Sequence, residues 1–380
     1  MKILTWGIYL IIFCLPLYLV KFRIFGIPIT VLELMIYALF IAWLVNRVQG
    51  LGLRVQVKKE KSLFLAIILI FIGVSLATIF SSDLRASAGI WKAWFIDPIL
   101  FFIVVAATIK EKKQVNIAIF SLFFSGVAVS VISLIYLICG KLDPVGRLQA
   151  FYTSPNYLAM YLAPALIIGL FSKKIYFLIP SLLCAISLFF TYSYGAWLGI
   201  IAALGFGLVL YCLKLKKRES AVLVLCLFIL AALFLGYFAL NFRVASLNAR
   251  LIIWQKSWEI FKTSPILGIG PGTFSNYFPQ YPEWGVPQPH NIFLAFLLQT
   301  GIIGFAGFAW LLVWFYKKRT STVLIAIMTC ILVHGLVDTT YWKNDLSVIF
   351  WLIIALCYIV NHRVCSQKTN NPPGATRIDL

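Results

Sequence analysis

Apolar stretches of about twenty residues recur along this chain, and they constrain its fold more than any other feature. A helix needs ~20 mostly apolar residues to cross the hydrocarbon core of a bilayer. Such stretches occur near residues 4–20, 27–46, 62–80, 93–109, 115–138, 156–171, 175–191, 195–212, 220–240, 291–315, 321–340 and 346–361. We read them as about 12 spans of an all-α, polytopic transmembrane helix bundle, a single integral membrane domain over residues 1–380. Of the 380 residues, 62% are hydrophobic and only 12% charged, whereas a soluble domain carries about 25% charged residues. Lipid must therefore solvate the outside. The first stretch has no small-residue cleavage site and is followed by another span, so it reads as a helix and not as a signal peptide.

The formal net charge of +20 would suggest nucleic acid in a soluble protein. Here the basic residues fall in short runs between apolar stretches, which is the pattern that orients membrane proteins and excludes nucleic acid as a partner. Counting alternate loops puts 21 of the 32 Lys and Arg residues on one side and 11 on the other. That asymmetry predicts a multi-pass protein with both termini cytoplasmic, including a cytoplasmic tail over 364–380. The eight cysteines lie mostly inside apolar stretches, as at Cys14, Cys184, Cys212, Cys226, Cys330 and Cys357, with no CxxC pair. Neither a metal site nor a disulfide framework is indicated.

The opposite, extracytoplasmic side carries one long loop, 241–289, rich in Pro, Gly and aromatic residues. Its aromatic content (Trp254, Trp258, Phe261, Phe274, Tyr277, Phe278, Tyr281, Trp284) is too apolar for a solvated linker, so the loop is expected to be ordered. Ser246 to Lys262 reads as an amphipathic helix terminated near Pro265. Arg250, Trp254 and Trp258 are spaced four apart on one face of that helix. The guanidinium is a planar fork suited to phosphate oxygens, and the indoles suit either a sugar ring or the lipid interface. Gly268, Gly270 and Gly272 follow. No lysine of a nucleotide loop accompanies them, so a turn is the better reading.

Ionisable groups at the membrane rim are costly and mark candidate chemistry. Arg147 precedes Ser154-Pro155-Asn156, a helix start with a capping residue. An arginine beside a helix N-terminus can grip an anion. His290, with Asn291, stands where the long loop re-enters the membrane. Histidine accepts a proton near neutral pH, although a hydrogen-bonded helix-start residue is the plain alternative. His334 and Asp338, four apart, would share a helix face as a structural pair or a proton relay.

In this order, the stretches "GRLQAFYTSPNYLA", "NARLIIWQKSW", "SPILGIGPGTF" and "QPHNIFLAFLLQTG" resemble the O-antigen ligase and O-antigen polymerase family of membrane glycan transferases. The resemblance rests on the span pattern, "PN-LA" at a helix start, an Arg–Trp helix opening a large loop, a glycine run, and "HN-x-x-L" at the return. It implies a polyprenyl diphosphate-linked glycan as donor and a glycolipid, polysaccharide or protein as acceptor. It also implies transfer without metal, nucleotide or other cofactor, in the bacterial inner membrane. Arg250 matches the family's diphosphate-binding arginine, and His290 its proposed base. Arg147, Asn156, Trp254, Tyr194 and Asn291 fall at the substrate, and His334 and Asp338 in support. One position departs: Tyr194, in Ser193-Tyr194-Gly195-Ala196-Trp197, stands where the ligases have arginine, which leaves Arg147 as a replacement cation. A transporter or flippase of lipid-linked glycans is the rival of another class. No internal repeat supports it.

Overall fold

The computed structural model describes residues 2–49, 60–172, 174–242, 244–277, 287–318 and 320–364. Phe278, Tyr281 and Trp284 of the long loop, and the tail beyond Val364, lie outside the described residues.

Helix α1 (Lys2–Phe13) stops short of the expected 4–20 because Pro16, which lacks a donor, opens a 3-10 turn at Leu15–Leu19. A hairpin follows, and its second strand lies where the next helix was expected to begin. Strands β1 (Lys21–Ile24) and β2 (Ile27–Thr30) pair antiparallel around Phe25 and Gly26, both at positive φ, the geometry of a tight two-residue turn. Helix α2 (Val31–Val48) therefore begins four residues later than read. Thr30 accepts from the Glu33 amide, and the Glu33 side chain accepts from the Thr30 amide, a reciprocal cap.

Next come α3 (Lys61–Ile79), then α4 (Leu84–Trp91) and α5 (Asp97–Thr108), fused through a π turn at Lys92–Ile96. Helices α6 (Lys112–Ile138), α7 (Pro155–Phe171), α8 (Leu178–Phe190), α9 (Tyr194–Lys214), α10 (Arg218–Phe242) and α11 (Val244–Thr263) follow. The chain closes with α12 (Ile292–Lys317), α13 (Thr322–His334) and α14 (Asn344–Ile359). Among the described residues, seven helices are long and apolar enough to cross a membrane: α2, α3, the α4–α5 rod, α6, α9, α12 and α14. Helices α1, α7, α8 and α13 are apolar but shorter. The result is a mostly helical, membrane-type bundle. Helix α14 is buried on all sides, as an all-round apolar helix at a bundle centre should be.

Two glycine contacts fix the framework of the site. Helix α3 meets α12 so closely that a Cβ added to Gly73 would lie 2.3 Å from the Gly304 amide nitrogen. In α12 itself, Gly301 adopts φ 64 and breaks the helical ladder. The glycine loop after α11 fills that break. Ile269 donates to the freed Leu298 carbonyl at 2.9 Å, and Ile302 donates to the Pro265 carbonyl at 3.0 Å. Gly268, Gly270 and Gly272 all have positive φ, so the run is a turn, as its sequence suggests, and it locks the long loop onto α12. Backbone groups left bare in a membrane helix must find such partners.

The α3–α12 contact carries a prediction. Gly73→Val forces side-chain atoms into the α12 backbone and should destabilise by about 1–3 kcal/mol, read as a lower melting temperature in detergent. Gly89→Ala, where nothing lies within 4 Å of the added carbon, should leave the melting temperature unchanged or slightly raised.

Candidate functional site

The described parts of the interhelical connections, 139–154, 191–193, 264–277, 287–291 and 335–343, converge at one end of the bundle, and several place a residue by their own local chemistry. In the 139–154 segment, the Asp143 carboxylate accepts from the Val145 and Arg147 amides at 2.9 and 2.7 Å, a tight side-chain-stabilised turn that presents Arg147. Ser154 caps α7 by accepting from the Asn156 amide, with Pro155 at the first helical position. Asn156 thus stands on the first turn of α7.

At the return of the long loop, three consecutive residues act together. The Pro289 carbonyl accepts from the Trp254 indole of α11 at 3.0 Å. His290 then turns the chain at φ 49, a left-handed conformation that is costly for a residue with a side chain and clusters at functional sites. Asn291 caps α12 through the Leu294 amide at 3.0 Å and donates to the Leu336 carbonyl at 2.9 Å.

These segments bring four sequence-predicted residues into one chain of hydrogen bonds. Arg147 donates through Nε to the Thr191 carbonyl at 2.8 Å and through NH2 to Asn156 Oδ1 at 2.7 Å. Asn156 Nδ2 donates to Asp338 Oδ2 at 2.8 Å. Asp338 Oδ1 faces His290 Nδ1 at 3.0 Å and also accepts from the Thr339 amide at 2.9 Å. The carboxylate is buried at 4% exposure, whereas the imidazole is one-third exposed. One end of the pair is therefore fixed and dry, and the other faces outward.

The partner of Asp338 differs from the sequence reading, which put it on one helix face with His334. Helix α13 ends at His334, where Gly335 caps it. Asp338 consequently lies in the connecting loop and turns to His290. Gly335 was the available signal, since glycine just past a periodic run stops helices. His334 is buried against α9: a Cβ on Gly195 would lie 2.7 Å from its ring, and one on Gly199 would lie 3.2 Å from its Cβ. It packs the wall behind the site. Tyr194, half-buried, is the first residue of α9 beside that contact.

Arg250 and Trp254 share one face of α11, as their spacing suggests. Arg250 Nε donates to the Val337 carbonyl at 2.9 Å, one residue from Asp338, and its NH1 reaches Ser246. Trp258 is further out, stacked on Phe261 at 5.2 Å. The indole of Trp254 spends its N–H on the residue before His290, so its visible role is to hold the return of the loop. Burial works against a charged Asp338, but His290, His334 and Arg250 around it hold its carboxyl well below the usual carboxylate range. Among the described residues, no three His, Cys, Asp or Glu side chains come together as a metal site would need.

A negatively charged, buried orienting group, an outward imidazole and two guanidinium groups can take up a proton and neutralise a departing anion at one locus. Comparison with curated proteins finds no match to this chain. A family model described as O-antigen ligase matches residues 179–309, a segment containing Tyr194, Arg250, Trp254, His290 and Asn291, while Arg147, Asn156, His334 and Asp338 lie outside it. That match supports an O-antigen ligase-like family for the chain, over the segment 179–309.

Proposed function

We propose that this protein moves a glycan from a polyprenyl diphosphate carrier to an acceptor hydroxyl, at the end of the bundle that carries His290. The basic-residue asymmetry supports reading that end as the extracytoplasmic face of a bacterial inner membrane, with both termini cytoplasmic and about 12 crossings. In this reading 241–289 is the extracytoplasmic loop. The observation that carries the proposal is the continuous chain Arg147–Asn156–Asp338–His290.

The chemistry follows from that arrangement. With Nδ1 held by Asp338, the imidazole offers Nε2 to the acceptor hydroxyl. As the hydroxyl oxygen bonds to the anomeric carbon, its proton passes to Nε2 and the bond to the diphosphate oxygen breaks. Asp338 stabilises the imidazolium that forms. Attack opposite the leaving group inverts the anomeric centre. Charge developing on the diphosphate is met by Arg250, and by Arg147 where the ligases use an arginine at the position of Tyr194. The prenyl tail lies in lipid between helices. Tyr194 is also what favours a close sibling of this reading, a polymerase whose acceptor is another carrier-linked glycan.

Deletion of the protein should make the lipid-linked glycan accumulate, as read by mass analysis of extracted carrier lipids. Arg250→Ala, inserted at normal levels, should reproduce that accumulation with transfer down by about 10²-fold, the loss expected when one charge-stabilising donor is removed. Arg250→Lys should recover only part, because an ammonium lacks the planar fork. Wild-type turnover in Arg250→Ala, or glycan flux across vesicles containing no acceptor, would overturn the transferase reading.

A further inference from the structure

The connection that carries Asp338 also carries a charged group that the proposed chemistry does not use. Lys343 ends the connection 335–343, immediately before α14. Its Nζ is enclosed and makes no hydrogen bond among the described residues. Instead it sits 3.4 Å from the centre of the Tyr157 ring, with the rings of Tyr152 at 5.4 Å and Tyr18 at 5.5 Å. An ammonium surrounded by aromatic faces is attracted to them electrostatically, most strongly where water is excluded. Asp345, two residues on and fully buried, supplies the counter-charge.

The position of Tyr157 gives this cage a consequence. Tyr157 follows Asn156 on the first turn of α7, and Asn156 is the amide that joins Arg147 to Asp338. The loop 335–343 therefore meets the start of α7 twice. Asp338 binds Asn156 near one end of the loop, and Lys343 covers Tyr157 at the other. We propose that Lys343 is a positioning residue for the transferase site, its caged ammonium holding the 335–343 loop in the register where Asp338 meets both Asn156 and His290. The proposal rests on the site assigned above to His290 and Asp338. No contact of Lys343 with substrate is needed.

The charge of this lysine is itself conditional. Burial, opposed by Asp345 and reinforced by the positive charge of Lys21, pushes the Lys343 amine down to about 8. The groups facing it are Tyr18 before the hairpin, Tyr152 in the loop 139–154, Tyr157 on α7, Asp345 on α14 and Lys21 on β1. Below that pH the ammonium is present and the clamp is closed. Above it, the cation–ring attraction disappears.

The test uses the full chain in membrane vesicles with two readouts. The first is transfer of the lipid-linked glycan extracted from cells lacking the protein. The second is labelling of His290 by diethyl pyrocarbonate, quantified by mass spectrometry, which needs no donor. Lys343→Met should lower transfer about tenfold and raise His290 labelling severalfold at pH 7. At pH 9, wild type should lose transfer and gain labelling relative to Lys343→Arg, whose guanidinium keeps its charge. Tyr157→Phe, which retains the ring face, should behave as wild type, and Tyr157→Leu as Lys343→Met. Unchanged His290 labelling in Lys343→Met and Tyr157→Leu would overturn the positioning role. Labelling that follows Lys343 in a wild-type protein without transfer would leave the clamp standing and remove the transferase reading.

Discussion

His290→Ala should abolish glycan transfer, lowering it by about 10²–10⁴-fold, the range a positioned general base supplies, while the protein still inserts and folds, its melting temperature lowered only by the loss of the contact with Asp338. The separation of effects follows from exposure. The imidazole is one-third exposed, and its single interaction through Nδ1 is with Asp338, so little packing is lost with the ring. The backbone at φ 49 costs alanine about as much as histidine. His290→Gln supplies the sharper measurement. Glutamine can still hydrogen-bond to Asp338, but it cannot accept a proton near neutral pH, so it should be as inactive as alanine. Transfer by His290→Gln within a few-fold of wild type would show that the ring orients substrate and that the proton goes elsewhere.

What could be read beforehand, and what could not, divides along physical lines. Apolar runs of membrane length and alternating basic loops identify the helical bundle because both signals are local. The N-cap at Ser154 and the helix over Val244–Thr263 were legible for the same reason. The hairpin at Lys21–Thr30 was not: its second strand runs without a break into the apolar stretch of the next helix, and only Pro28 and the Phe25-Gly26 turn distinguish it. The residue types of the site were also legible, because a charge at a membrane rim needs a reason. Their pairing was not. Asp338 and His290 are separated by 48 positions, whereas Asp338 and His334 are four apart, and local spacing favours the nearer partner. Gly335 ends α13 and decides for the distant one. The Lys343 cage was beyond reach for a stronger reason. Tyr18, the neighbouring Tyr152 and Tyr157, and Lys343 itself come from three segments far apart in sequence, and nothing in any one of them announces the others.

The second large effect is expected at Asp338, and its pH dependence separates two roles that activity alone confuses. Asp338→Asn keeps the shape and a hydrogen bond to Asn156, but it removes the charge that orients and stabilises the His290 imidazolium. Transfer should fall by roughly 10²-fold or more, on the scale of general acid–base contributions. Stability should change as well. The folded carboxyl is held well below the ordinary range, and an unfolded aspartate titrates near ~3.9. Ionised Asp338 therefore contributes stability that is fully present above about pH 5 and is lost as pH falls through the unfolded value toward the depressed folded one. The melting-temperature gap between wild type and Asp338→Asn should accordingly be constant from neutral pH down to about 5 and close only below about 4. Activity in that same window cannot be failing through Asp338. If transfer by the wild type declines between pH 7 and 5 while the melting-temperature gap holds, the group being protonated is another one, and His290→Gln should show no such decline in its residual rate. A gap that does not close below about pH 4 would mean that Asp338 titrates as it does in the unfolded chain, and that the surrounding His290, His334 and Arg250 do not hold it as the geometry requires.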